Sequence, residues 1–204
     1  MCQRRRCNFS TQIVEWVMVT DRLAPGFLLA APSLAHPNFD QTLVLLAADE
    51  PLGAMGFIVN RASAMTLHSL LKELAIDPVV GDRPVLLGGP VSGFSGFLLY
   101  EHQAGAPLAP GLEVSETISV SPSRELLESA AQGRLGGRFE LVLGYAGWAP
   151  AQLEIELSRG SWLHAPFDAE LVFDVPLLER WHETYSRLGV DPKRFITVRG
   201  GAQA

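Results

Sequence analysis

The feature that most constrains this chain is a succession of short, almost uninterrupted apolar runs with glycine and proline punctuation between them. They lie at residues 26–31, 42–47, 54–59, 84–87, 96–100, 139–145 and 169–173. Runs of this length between turn residues read as strands. A strand with one wet face would alternate apolar and polar side chains. These do not, so both faces should be covered and helices should lie over the sheet.

Four helices fit the remaining pattern. Thr66 can cap a helix whose Leu67, Leu70, Leu71 and Leu74 share one face. Ser121-Pro122 offers a cap and a first-turn proline before Leu126, Leu127 and Ala130, with Gly133 as the stop. Pro150 opens a third helix through Leu153 and Leu157, closed by Gly160. Pro176 opens a fourth, with Leu177, Leu178, Trp181, Tyr185 and Leu188 inward and Asp174 as its cap. Residues 101–115 carry two glycines and two prolines and read as a surface loop, and Gly93-Phe94-Ser95-Gly96 as a tight turn. No linker or repeat divides residues 21–204, which read as a single domain behind a leader at 1–20. Met18 is the expected translation start.

The chain is acidic, with a formal charge of −6, and 19% of its residues are charged. Phosphate backbones are gripped mainly by Lys and Arg, so direct DNA binding is the least favoured reading. Discarding residues 1–17 would remove Arg4, Arg5 and Arg6 but only Glu15, deepening the acidity. No stretch approaches a membrane span, and the leader lacks a continuous apolar core after its arginines. The expectation is a soluble, cytoplasmic protein.

Both cysteines, Cys2 and Cys7, lie in the leader, which excludes thiolate metal sites, cysteine nucleophiles and disulfides from residue 8 onward. The histidines at 36, 68, 102, 164 and 182 show no H-x-H or H-E-x-x-H spacing. Phosphate-cradling glycine motifs and a G-x-S-x-G elbow are also missing. The expectation is therefore no metal and no cofactor. Glu154 and Glu156 are two apart on an expected helix and point away from each other, with Glu154 toward a groove and Glu156 solvated.

Two stretches carry more information than composition requires. One is the glycine-punctuated strand at 53–59 that ends in Asn60 and Arg61. The other runs Leu143-Gly144-Tyr145-Ala146-Gly147-Trp148-Ala149-Pro150-Ala151-Gln152-Leu153-Glu154, a strand turning sharply into a helix. With the Gly88-Gly89-Pro90 turn they supply a candidate binding surface: Asn60, Arg61, Gly88, Gly89, Pro90, Tyr145, Trp148, Gln152 and Glu154. The plainer reading is that the glycines permit close packing while Tyr145 and Trp148 fill the core.

Gly53-Ala54-Met55-Gly56 with Asn60-Arg61, Gly88-Gly89-Pro90-Val91, and the 143–154 block resemble the signature blocks of the AlgH/YqgE family. Trp162-Leu163, Phe173-Asp174, Trp181 and Leu188-Gly189 continue the same order, so the resemblance covers roughly residues 21–202. It implies an α+β fold: a mixed, branched β-sheet that includes a small closed barrel, surrounded by helices. It also implies a proposed link to transcriptional regulation of alginate synthesis in some bacteria, and it carries no established catalytic residues. The family pattern often has glycines just before Gln152, where this chain has Pro150 and Ala151.

The leading functional expectation is a binding or regulatory module that acts through a protein partner or a small ligand. The alternative is an enzyme in which Arg61 holds an anionic substrate and Glu154 is a general base.

Overall fold

The computed structural model describes residues 22–195. The leader at 1–20, with its cysteines and the expected start at Met18, lies outside the described residues. The first apolar runs become β1 (Gly26–Ala30), β2 (Leu43–Glu50) and β3 (Gly53–Ile58). In β1 every residue is buried. Side-chain alternation sends Phe27, Leu29, Leu43 and Leu45 into one core and Leu28, Ala30, Val44 and Leu46 into another. Two buried faces explain why these runs show no polar alternation.

The chain continues through β4 (Ala62–Thr66), α1 (Leu67–Glu73), β5 (Pro84–Leu87), β6 (Val91–Glu101), β7 (Leu112–Ser115) and β8 (Ile118–Ser121). Then follow α2 (Arg124–Ala131), β9 (Phe139–Trp148), α3 (Gln152–Ser158), β10 (Trp162–Pro166), α4 (Ala169–Phe173) and α5 (Arg180–Arg187). The architecture is α+β, built on one large, mainly antiparallel sheet in the order β10-β1-β2-β3-β9-β6-β8-β7. The branch point is β9. Its Val142 and Leu143 pair in parallel with Leu86 and Leu87 of β5, which carries β4 on its far side. Its Ala146–Trp148 end pairs with Gly56, Met55 and Ala54 of β3.

The expected small closed barrel is not there. The strand path has two ends, β10 and β7, and β7 pairs with β8 alone. The run at 169–173 is a helix rather than a strand. Asp168 caps it by accepting a hydrogen bond from the Glu170 amide, and Leu171 and Val172 turn into the core. A five-residue apolar run has no periodicity to separate the two states. Residues 93–96 lie within β6 rather than in a tight turn, and β7 emerges from the expected 101–115 loop.

Helix α1 starts where Thr66 predicts, in a reciprocal capping box with Ser69. Helix α2 is capped by Ser123, not Ser121, whose hydroxyl donates to the Pro110 carbonyl. The last helix begins at Arg180 because residues 176–179 form a turn, and this leaves Leu178 84% exposed instead of inward. Asp174 ends α4 rather than capping α5, and its carboxylate pairs with Arg138. Helix α5 is stapled to the sheet: Trp181 Nε1 and the Tyr185 hydroxyl both donate to the Ala30 carbonyl, at 3.0 and 3.2 Å. No helix of the described residues is long and apolar enough to cross a membrane.

Candidate functional site

Between β1 and β2 the chain makes a long irregular loop, 31–42, and the strand end at Asn60-Arg61 holds it. The Asn60 side chain accepts from the Leu43 amide and donates to the Gln41 carbonyl, both at 2.8 Å. Arg61 donates to the carbonyls of Pro37, Asn38 and Asp40 at 3.0, 2.9 and 2.9 Å. The buried Thr42 hydroxyl donates to the Phe39 carbonyl at 2.9 Å. A segment without regular structure must satisfy its backbone groups somehow, and here side chains from the end of β3 do it.

The loop presents His36 and Phe39, whose rings stand 5.3 Å apart. Phe39 meets Trp162 edge-on at 5.5 Å. Trp162, at the start of β10, packs T-shaped against Trp148, at the end of β9, with centroids 5.9 Å apart. Both indole N–H groups donate to the same oxygen of Glu156, Oε2, at 3.0 Å from Trp148 and 2.8 Å from Trp162. Gln152 donates to the other oxygen at 2.8 Å and accepts from the Ala149 amide at 3.0 Å. Burial alone would raise the Glu156 carboxyl. Hydrogen bonds from Gln152, Trp162 and Trp148, with the charge of His36, outweigh it and hold the group below the ordinary carboxylate value.

The carboxylates of α3 thus have the opposite roles to those expected. Glu156 is the engaged one, and Glu154 is exposed. The helix itself starts at Gln152 after Ala151, which adopts a left-handed conformation with φ 62°. The backbone keeps the shape that glycine would favour although alanine occupies it.

The candidate set therefore divides. Asn60, Arg61, Trp148 and Gln152 are joined through the loop and the indole–carboxylate knot. Gly88, Gly89, Pro90 and Tyr145 belong elsewhere. The Gly88 amide donates to the Leu143 carbonyl at 2.7 Å, and its carbonyl accepts from the Ile58 amide at 2.8 Å. A Cβ on Gly88 would fall 2.4 Å from the Gly144 oxygen, and one on Gly89 would fall 2.3 Å from the Tyr145 carbonyl. These glycines let the segment cross β9 at contact distance. Tyr145 packs edge-on to Phe97 on the face of β9 opposite Trp148. Sequence reasoning passed over Glu156, Trp162, His36 and Phe39 as members of the site. The spacing of two tryptophans around Glu156 was the available signal, but nothing local says that β10 returns beside β9.

The catalytic options of this arrangement are narrow. Arg61 spends its guanidinium on three carbonyls, and both oxygens of Glu156 accept hydrogen bonds. A low-pKa carboxylate surrounded by neutral donors is a poor proton acceptor at neutral pH. Among the described residues no group of three or more His, Cys, Asp and Glu side chains is placed to hold a metal ion.

A family model described as AlgH-like matches residues 27–193. The chain belongs to the AlgH-like family. Similar relatives include a UPF0301 protein of Anaeromyxobacter dehalogenans, 43% identical over 189 residues, spanning 89% of this chain and 96% of the relative. A UPF0301 protein of Methylococcus capsulatus is 40% identical over 172 residues, spanning 83% and 90%. The AlgH-like chain also resembles the solution structure of the AlgH protein from Pseudomonas aeruginosa, with TM-score 0.71 and 36% identity over 90% of this chain and 98% of that one. A crystal structure of a Corynebacterium diphtheriae protein shares the fold at TM-score 0.71 and 18% identity, over 93% of this chain and all of that one.

Proposed function

We propose that this AlgH-like chain is a binding module without a reaction of its own, and that the 31–42 loop is its recognition element for a protein partner. The observation that carries the reading is the set of four hydrogen bonds that Asn60 and Arg61 donate to carbonyls of the loop, with a fifth accepted by Asn60 from the Leu43 amide where β2 begins; together they pin a loop with an exposed tip at residues 35–38. Irregular loops of this length in compact domains are commonly functional, and pre-ordering a loop lowers the entropy lost when a partner binds.

Regulation by direct DNA contact has little support. Arg22, Arg83, Arg124, Arg138, Arg180 and Arg187 are each paired with carboxylates, and Arg61 is committed to the loop. A regulatory role would therefore run through the protein partner.

The test is a photo-crosslinking residue placed at Asn38, with a control at the exposed Ser186. A protein captured from Asn38, not from Ser186, and lost when Arg61→Ala frees the loop would support the reading. Equal capture from both positions, or capture indifferent to Arg61→Ala, would overturn it.

A further inference from the structure

The tip of the 31–42 loop is a turn held from two sides. Its carbonyls, from Pro37, Asn38 and Asp40, are taken by Arg61. Its amides are taken by one residue, His36. The Asn38 N–H donates to Nδ1 of the His36 ring at 3.2 Å, and the Phe39 and Asp40 N–H groups donate to the His36 carbonyl at 2.9 and 2.8 Å. A side chain that accepts from the amide two residues on is the usual way for Asn or Asp to close a turn. Here a histidine does it, and the difference is that a histidine titrates.

A backbone N–H can only donate, so Nδ1 must offer a lone pair. The ring in this turn is therefore neutral, with its proton on Nε2. Imidazolium carries an N–H on both nitrogens and accepts at neither. Histidine is the side chain whose charge ordinarily changes between pH 5 and 8, and His36 is exposed to solvent. On protonation the Asn38 amide loses its acceptor and meets a second N–H in its place.

The charges around the ring divide. Arg61 holds the carbonyl side of the same turn, and the three amides turned toward His36 add further positive ends. Both oppose a cation at the Asn38 side of the ring. Asp40 belongs to the turn itself, and Glu156 acts on His36 from α3, so a charged ring is drawn toward α3. Both Glu156 oxygens already accept from Trp148, Trp162 and Gln152, so this attraction gives the Asn38 amide nothing in exchange.

We propose that His36 is a pH switch built into the loop: the neutral ring closes the turn and orders the tip, and the protonated ring releases the Asn38 amide and loosens it. Recognition through the tip is then strong at neutral pH and weaker in acid, a consequence that rests on the binding role proposed above.

The device is tested on the free full-length chain by NMR hydrogen exchange at pH 8 and pH 5, each rate taken relative to the intrinsic rate at that pH. Protection of the Asn38 amide is expected to fall about tenfold in acid, the effect of one hydrogen bond. The Leu43 amide, held by Asn60, should stay protected at both. His36→Asn supplies an acceptor that does not titrate and should keep Asn38 protected throughout. His36→Phe keeps a ring beside Phe39 without the acceptor and should leave Asn38 unprotected at both pH values. Equal protection of Asn38 at pH 8 and pH 5 in the wild type would overturn the proposal, and so would the same acid loss in His36→Asn. No partner is present in this measurement, so failed capture at Asn38 would end the partner reading without deciding the switch.

Discussion

Two carboxylates are drawn into this protein, Glu140 and Glu156, and they respond in opposite directions. Glu140 sits between two arginines, with Arg180 Nη2 at 3.2 Å and Arg83 Nε at 3.7 Å. Burial nevertheless pushes its carboxyl up, and the two guanidiniums only partly offset this. Glu156 has no arginine; two indoles and an amide at 2.8–3.0 Å, helped by the charge of His36, hold its carboxyl low despite its burial. Short hydrogen bonds to a half-buried carboxylate outdo longer ion pairs to a deeply buried one, because desolvation scales with burial and the partners must repay it. Each knot has a structural task. Glu140 and Arg180 tie α5 to the sheet, where Arg180 also donates to the Val59 and Val175 carbonyls. Glu156 ties α3 to β9 and β10 behind the 31–42 loop.

The hardest blow to this comparison falls on the arginine side. Arg180→Ala leaves Glu140 buried beside a single, more distant cation and strips two carbonyls of a donor. It should cost about 3–5 kcal/mol, the usual penalty for breaking a buried pair, read from urea unfolding. If the loss were below about 1 kcal/mol, surface-like behaviour, the Glu140 knot would not be a staple at all. Glu156→Ala should cost less, about 2–3 kcal/mol, by orphaning two indole donors. Tryptophan fluorescence and near-UV dichroism should report the same change. Glu156→Gln keeps one oxygen that can accept from both indoles but puts an amide against the Gln152 donor, and should recover part of the loss.

Acid sharpens the contrast through its sign. The folded Glu156 carboxyl lies below its unfolded value of about 4.3. Its contribution is therefore complete above that pH and lost as pH falls through the folded value. The folded Glu140 carboxyl lies above its unfolded value, so its burial penalty is present at neutral pH and relieved as pH falls through the folded value. Stability measured from pH 7 to pH 3 should thus fall less steeply at the acid end in Glu156→Gln, and more steeply in Glu140→Gln, than in the wild type. Parallel curves for all three proteins would erase the distinction. The smallest effect concerns the turn that leads into α3. Ala151→Gly relieves a left-handed alanine but adds unfolded-state freedom, for a net gain of about 0.5 kcal/mol. A loss on thermal melting would mean that the φ of 62° is not strained.

Much of the fold could be read directly. The runs at 26–31, 42–47, 54–59 and 84–87 are strands because burial on both faces removes polar alternation from their sequence. Thr66 caps α1 because a capping box is local chemistry. The strands that escaped notice lack that signature. Residues 118–121 bury Ser119 and Ser121, whose hydroxyls are satisfied by His102 and Pro110. Trp162–Pro166 carries a histidine and a proline. The candidate site was legible in Asn60, Arg61, Trp148 and Gln152, but not in Glu156, which looked like a solvated helix residue.

What the sequence determined by itself was what short-range chemistry decides: which segments are buried on both faces, where helices begin, and which chemistries lack their residues. What only the tertiary structure decided was which distant groups meet. Arg61 reaches across to a loop more than twenty positions earlier, β10 brings Trp162 beside Trp148, and the diglycine at 88–89 crosses β9. Each depends on strand order, and strand order is set by the packing of the whole sheet rather than by any window of its sequence.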